Sequence, residues 1–397
     1  MTAPALEAEP PCPGPAEAFP DSTDRLQGTL RAERRPFDEI SRETWERLAA
    51  RTPWATPFSA WAFHRAWWDA YSANAHEETL AIVAADAPPG AEPVAVVPLM
   101  HRHEVEPSDA LTQTRMRHGT ELALTPVPPT AKAVFFGASY HADYATILTA
   151  PTDLPAVTEA VAAYLASPEA GPWDAVDLRR LRCADPTGDL LAVSLGAIEM
   201  ENGWTLNIDR EDVSPVATIP AGVDIEGYLS TLGKKERHEI RRKVRRAQAV
   251  GEIRLEDSAD PLSDIEAFID LHQKRWGEDG LFRPGPGGEQ SRVFIHRLFE
   301  LFEPEGSLRL TFLSVGGRRI AAGIHFETTE EILYYNAGVD PEARELSPGV
   351  LMVYAYVVRA LASGIRRLDF LRGNESYKYH WGAVDEPIRR LLVRRRV

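Results

Sequence analysis

Between Glu375 and His380 the chain places a carboxylate, two phenols, an amine and an imidazole: Glu375, Tyr377, Tyr379, Lys378 and His380. They follow a short apolar strand signal, Leu368, Phe370 and Leu371 around Asp369, and a rigid strand end is where a looser loop can carry reactive groups. Lys378 has the chemistry to stabilise negative charge developing on an oxygen. Glu375 or His380 could take the proton of an incoming amine, with Tyr377 beside them. Extended backbone would put Tyr377, Tyr379 and Trp381 on one face and Lys378 and His380 on the other. The bland account is an edge strand with a half-buried aromatic face.

A second group lies on the turn Arg344-Glu345-Leu346-Ser347-Pro348-Gly349. Ser347 can cap the following helix, Pro348 suits its first position and Gly349 allows close approach of a ligand. Free backbone N–H groups from Ser347 to Val350 would suit a pyrophosphate, with Arg344 beside them. A well-capped helix and nothing more explains the same residues. Just before the turn, Tyr334, Tyr335 and Asn336 end a strand, and a tyrosine there could donate a proton to a leaving group or sit satisfied in a core.

The third group is the run Lys234, Lys235, Arg237, Arg241, Arg242, Lys243, Arg245 and Arg246. Leu232, Ile240, Val244 and Ala247 are spaced as one apolar stripe, so the cations occupy the other faces of an amphipathic helix. In a chain of net charge -15 this is either a solvated face or a landing site for an anionic substrate or an RNA, met through its phosphates. The segment Leu271 to Trp276 reads as a helix end whose His272 and cations suit capping.

The overall negative charge argues against a chain that coats nucleic acid, so any anionic partner must meet a local patch. Cys12 and Cys183 are far apart and lack metal-ligand or CxxC spacing, so no metal is expected. The Pro-rich acidic start is unlike a secretory signal. No apolar run approaches the ~20 residues of a membrane span, and the expected location is the cytoplasm.

Positioning these groups falls to an α/β chain that reads as two similar halves. Residues 1–34 lack periodicity and are expected to be a disordered tail. From there to residue 212, helices, antiparallel-type strands, a helix and a strand follow in turn, and residues 213–397 repeat that plan. Expected elements include a basic helix over about Ile225 to Val250, a helix from Pro261 to Trp276, a loop from Phe282 to Gln290 and a helix from Pro348 to Ser363 ending at Gly364.

Taken together these pieces resemble the acetyltransferase family typified by the bacterial cellulose-biosynthesis protein CelD, a branch of the GNAT acyltransferases related to the Fem aminoacyl transferases. The matching residues are Pro57-Phe58 with Trp67-Trp68, Pro98-Leu99, Phe136-Gly137 with Asp143-Tyr144, Leu232 to Gly251, Leu271-His272 to Arg275-Trp276, Ser347-Pro348-Gly349, and Asp369 to Gly373 through Tyr377-Lys378 to Trp381. The resemblance implies an α/β fold of two tandem GNAT-like domains, the first without a donor site. It implies acyl-CoA as donor, held by Arg344, Ser347, Gly349 and Val350, although this turn keeps only one glycine of the usual motif. The implied acceptor is an amine of a small molecule or of a glycan or peptide precursor, with Lys234, Lys235, Arg237, Arg241, Arg242, Tyr335, Asp369 and Arg372 as substrate-binding residues. Tyr377-Lys378 corresponds to an aromatic-lysine pair of the Fem enzymes, in which the lysine assists transfer. Two alternatives stand beside this: aminoacyl-tRNA as donor, gripped by the basic helix, and a non-catalytic module that binds an anionic polymer.

Overall fold

The computed structural model describes residues 29–102, 114–115, 121–122, 127–128 and 131–395. Among them, eleven strands form one mixed sheet. In chain order these are β1 (Ala75–Glu77), β2 (Leu99–Arg102), β3 (Ala133–Phe136), β4 (Ala175–Arg182), β5 (Trp204–Thr218), β6 (Ile253–Asp257), β7 (Leu308–Val315), β8 (Arg318–Glu327), β9 (Glu331–Val339), β10 (Arg367–Asp369) and β11 (Val384–Arg395). Side by side they run β6, β7, β8, β9, β10, β5, β11, β4, β3, β2, β1.

Local sequence explains the frame. Gly316 and Gly317, with φ of 57° and 82°, supply the left-handed turn that lets β7 and β8 form a tight hairpin. Helix α9 (Pro348–Ser363) starts at a proline and stops at Gly364, which takes φ 73°. It crosses between β9 and β10, a parallel pair in register from Glu331↔Arg367 to Leu333↔Asp369. The first half repeats this unit with α3 (Leu154–Ala166) between the parallel strands β3 and β4.

The halves are locked together by exchange of their last strands. β5, at the end of the first half, pairs with β10 of the second, and β11, at the end of the second, pairs with β4 of the first. β5 and β11 also pair with each other from Trp204↔Arg395 to Val216↔Val384. At this seam the buried Arg390 guanidinium donates to both oxygens of the buried Asp177 at 2.6 and 2.8 Å. Burial alone would raise the Asp177 pKa, but Arg390 and Arg179 outweigh it and hold the carboxyl ionised. A shared aromatic core completes the join: the stripe on α2 (Trp61–Tyr71) packs on α8 (Pro286–Phe302), with the Phe63 and Phe294 ring centres 5.4 Å apart.

Five expectations need correction. The last residues of the expected tail, Leu30–Arg34, form a strand paired with Leu80–Ala84, while residues 1–28 lie outside the described residues. The boundary after residue 212 falls inside β5, because that strand must cross to the other half to find partners on both edges. The basic helix is two: α5 (Ile225–Thr231) and α6 (Lys234–Gln248), separated by extended Leu232 and Gly233. Tyr377 to Trp381 is not extended, since Ser376–Tyr379 coils into one helical turn, α10, so the alternation of faces does not apply. Helix α8 also begins at Pro286, inside the expected loop.

Candidate active site

The parallel pairing of β9 and β10 ends at Leu333 and Asp369, and beyond it the strands part. The space they leave is a cleft of about 460 Å³, within the ~300–1,000 Å³ usual for small-ligand sites. Three groups set far apart in the chain meet there. Helix α6 contributes Lys235, Glu239, Ile240 and Lys243; the turn before α9 contributes Arg344, Ser347, Gly349 and Val350; α10 and its exit contribute Tyr377, His380 and Trp381. Strand β9 supplies the floor with Tyr334 and Val339, Asp340 follows just past its end, and Arg275 reaches in from the end of α7 (Pro261–Trp276).

Positive charge dominates the lining once internal pairs are set aside. Lys243 is within 3.3 Å of Glu239, and Asp340 accepts from Arg318 at 2.6 Å. Among the described residues, Lys235, Arg275 and Arg344 have no carboxylate in salt-bridge reach. These three cations outnumber the one lining carboxylate in no salt bridge among the described residues, Glu236, and with the apolar walls they make a site for an anionic ligand with an apolar body.

The turn before α9 is built differently from a simple cap. Ser347 sits in the left-handed region at φ 58°, ψ 58°, and its hydroxyl does not cap the helix. Instead the Ser347 Oγ accepts from the Arg246 guanidinium at 2.9 Å, tying α6 to the rim of the cleft. The N–H groups of Ser347 and Val350 are spent on Arg344 O and Ser347 O, and Pro348 has none. Gly349 retains a first-turn N–H with no partner among the described residues. The expected row of backbone donors is therefore a single donor, supported by the nearby cations. A non-glycine residue held at positive φ beside a cleft is where folds store local strain for function.

Two phenols line the cleft. On β9 a register irregularity beside His325 leaves Tyr335 as the extra residue, with Tyr334 and Tyr335 on opposite sides of the sheet. Tyr334 joins the core under α9, with its ring 5.0 Å from that of Tyr356. Burial raises its pKa to about 12, and burial likewise raises that of Tyr377. Both phenols therefore keep their protons at neutral pH. Neither hydroxyl has a hydrogen-bond partner among the described residues, so both are available to a ligand.

Several residues expected at the site lie elsewhere. The Lys378 ammonium is buried and donates to the carbonyl oxygens of Leu371, Arg372 and Gly373 at 2.9, 2.8 and 2.9 Å, with Glu375 at 2.9 Å. Its three N–H donors face four acceptors, so none is left for an oxyanion. Lys378 pins the loop that presents Tyr377 and His380, and Glu375 is its counter-ion outside the cleft. Tyr335 points to the first half, where its hydroxyl donates to His141 O at 3.1 Å. Asp369 is buried and accepts from the Tyr144 hydroxyl at 2.6 Å, and Arg372 donates to Asp143 at 2.5 Å. These contacts join the halves and leave neither residue facing the cleft. Lys234, Arg237, Arg241 and Arg242 lie on other faces of α6: Arg237 donates to Ser230 O, Arg241 to Glu226 and Arg242 to Glu239.

Comparison with known proteins bears on this geometry. Residues 234–379 match the acetyltransferase (GNAT) domain family. That span contains every cleft-lining residue named above except His380 and Trp381. The whole chain is similar in fold to a crystal structure of FemX, with a TM-score of 0.55 at 11% identity, covering 91% of this chain and 96% of that one. It is also similar to a conserved protein of unknown function from Bacteroides thetaiotaomicron VPI-5482, with a TM-score of 0.52 at 12% identity, covering 90% and 98%. No curated protein matches the sequence. The domain match and the repeated unit of the first half make this a tandem GNAT-like fold, and together with the cleft they support an acyl-transferring enzyme.

The sequence names Tyr334, Lys243, Arg275 and Trp381 without bringing them into one cleft: Tyr334 as a possible proton donor beside Tyr335, Lys243 within the basic run, Arg275 as a cation at a helix end and Trp381 as one of an aromatic series. Tyr334 shares its face of β9 with the apolar Ile332, so alternation along the strand could have separated it from Tyr335. Arg275 gave no such signal, because a cation in the last turn of a helix is ordinary. Among the described residues, no group of three His, Cys, Asp or Glu side chains is placed to hold a metal ion, and no helix is long and apolar enough to cross a membrane.

Proposed function

We propose that the protein is an N-acyltransferase that moves an acetyl or other acyl group from acyl-CoA to an amine, within the CelD-like branch of the GNAT superfamily. The observation that carries this reading is the parting of β9 and β10, which opens one cleft onto the cationic helix, the start of α9 and two protonated phenols. Arg344, Lys235 and the Gly349 N–H would hold the donor's phosphates, and the apolar floor would take the chain leading to the thioester. The amine nitrogen attacks the thioester carbon, a C–N bond forms and the C–S bond breaks. The departing thiolate takes a proton from Tyr334 or Tyr377, and His380, exposed at the cleft, accepts the proton lost by the amine. Through water, the proton on His380 passes to the tyrosinate and restores both groups. The acceptor would be a small molecule or a glycan or peptide precursor in the cytoplasm, met by the second half alone.

Titration calorimetry with acetyl-CoA tests the donor. The wild type should give a saturable heat, and Arg344→Ala should weaken binding by about tenfold or more, as expected for loss of a charge-assisted contact. No heat with acetyl-CoA or longer acyl-CoAs would remove the reading and leave the non-catalytic module in its place.

A second reading, with aminoacyl-tRNA as donor, is favoured by the cations of α6 that face away from the cleft. Lys234 and Arg245 have no carboxylate in salt-bridge reach among the described residues, so the positive face extends past the small-molecule site. Steep loss of activity with salt and sensitivity to ribonuclease would select it.

A further inference from the structure

Arg275 stands apart from the other cations of the cleft, and the reading above gives it no task. It sits in the last turn of α7, its guanidinium 4.6 Å from the Trp276 ring centre, and it lines the cleft. Stacking on an indole holds a guanidinium in place without consuming its N–H donors. No carboxylate among the described residues lies within salt-bridge reach. Arg275 lines the same cleft as Tyr334 and Tyr377, and its positive charge opposes the effect of burial on both phenols, while the Glu375 carboxylate acts on Tyr377 in the other sense. Arg275 and the two phenol hydroxyls thus share one cleft, and none of the three has a hydrogen-bond partner there among the described residues.

We propose that Arg275, with the hydroxyls of Tyr334 and Tyr377, recognises a carboxylate carried by the substrate close to the reacting carbon. The inference rests on the acyl-transfer reading of the cleft and names the substrate class within it. A planar guanidinium matches a carboxylate through two parallel N–H bonds, and two phenol donors beside it add directional contacts; an ammonium could accept none of these, and a neutral amide offers one oxygen and no charge. Trp381 and Val339 line the same cleft and give the apolar part of the substrate a surface to rest on, while the Arg275 side chain itself is exposed. The carboxylate can come from two sources: the acyl group, as in a dicarboxylic acyl thioester, or an amino acid acting as acceptor.

Calorimetry separates the sources and tests the proposal. Succinyl-CoA against acetyl-CoA probes the acyl side, and alanine against alaninamide probes the acceptor side, each with the wild type and with Arg275→Gln. One carboxylated probe should bind the wild type about tenfold or more tightly than its neutral counterpart, a ratio usual for a charge-assisted pair, and Arg275→Gln should bring that ratio close to one. Acetyl-CoA affinity and thermal midpoint should not change in the variant. Equal binding of both members of both pairs overturns the proposal, whether or not acetyl-CoA binds. Weakened acetyl-CoA binding by Arg275→Gln also overturns it, because the residue would then serve the donor's phosphates. Failure of acetyl-CoA to bind, with a carboxylate preference that still requires Arg275, overturns the donor reading and leaves this one standing.

Discussion

The two halves use one frame to opposite ends. In each, a short parallel strand pair spans a crossover helix and then parts, β9 from β10 in the second half and β3 from β4 in the first. In the second half the gap is a cleft of about 460 Å³; the cavity beside β3 in the first is about 10 Å³. What fills the first is visible in its walls: Phe58, Phe136 and the segment from Tyr144 to Leu148 crowd the space, with the buried His64 against Gly137. The polar groups there are turned inward. Burial lowers the His64 pKa to about 3, so it stays neutral, and the Tyr144 hydroxyl is committed to Asp369. The backbone frame does not by itself make a site. A site needs the side chains at the gap to leave room between them and to present cations without carboxylate partners, as they do in the second half.

The strongest way to break this comparison is to remove one phenol from each half. Tyr334→Phe should lower turnover by about 100-fold, the usual loss for a proton donor at the reacting centre, with stability close to that of the wild type. Tyr144→Phe leaves a buried carboxylate short of a donor and should cost about 1–3 kcal/mol of stability, with turnover per folded molecule within about twofold. Urea unfolding and steady-state rates on the same samples read both effects. Equal turnover losses in the two variants would mean that the first half takes part in the chemistry.

Much of this architecture was legible in the residues, for a physical reason. Helix α9 was bounded by Pro348 and Gly364, and the α7 boundaries by Pro261 and Gly277, because proline and glycine act through local backbone geometry. The basic face of α6 and the turn before α9 could be named as site elements because charge and start signals are local too. Lys378 misled because a lysine beside reactive side chains reads the same whether it faces solvent or three carbonyl oxygens. Only the left-handed Leu371 and the positive φ of Gly373, 57° and 101°, bend the loop carbonyls toward its ammonium. Asp369 and Arg372 were read as substrate contacts, since their partners Tyr144 and Asp143 lie more than two hundred positions away. The exchange of β5 and β11 is likewise a long-range pairing that strand propensity cannot encode.

A smaller effect concerns protonation in the closed half. Asp185 is fully buried, and burial raises its pKa to about 6 despite hydrogen bonds from Thr146 and Thr187. A carboxyl whose folded pKa lies above its unfolded value binds protons more tightly when folded. Its contribution is therefore fully present below about pH 4 and is lost as pH rises through about 6, by roughly 2–3 kcal/mol for about two units. Asp185→Asn keeps an oxygen for the Thr187 N–H, 2.8 Å away, and carries no charge to bury. Relative to the wild type, the variant should gain about 2 kcal/mol of stability between pH 4.5 and pH 7.5, read from urea midpoints. An unchanged difference between the two pH values would show that the carboxyl is not held neutral. The cleft carboxylate Asp340 should behave in the opposite sense, since Arg318 overcomes burial and lowers its pKa.

The finest contrast lies at the two helix starts. In the second half the residue before α9 is Ser347, held at φ 58°; in the first, the residue before α3 is Asp153, at an ordinary φ of -93°. A side chain at positive φ costs about 1 kcal/mol that glycine does not incur, while glycine at an ordinary helical conformation is worse than alanine by about 0.5–1 kcal/mol. Ser347→Ala and Ser347→Gly both lose the hydrogen bond from Arg246, so their difference isolates the backbone. Ser347→Gly should be more stable than Ser347→Ala by about 1 kcal/mol, and Asp153→Gly less stable than Asp153→Ala by about half that. Both Ser347 variants should also bind acetyl-CoA more weakly, since the turn no longer holds α6 against the cleft, and neither Asp153 variant should. If the glycine-alanine differences have the same sign at both positions, the left-handed serine is not strained. The cleft would then owe its shape to packing alone.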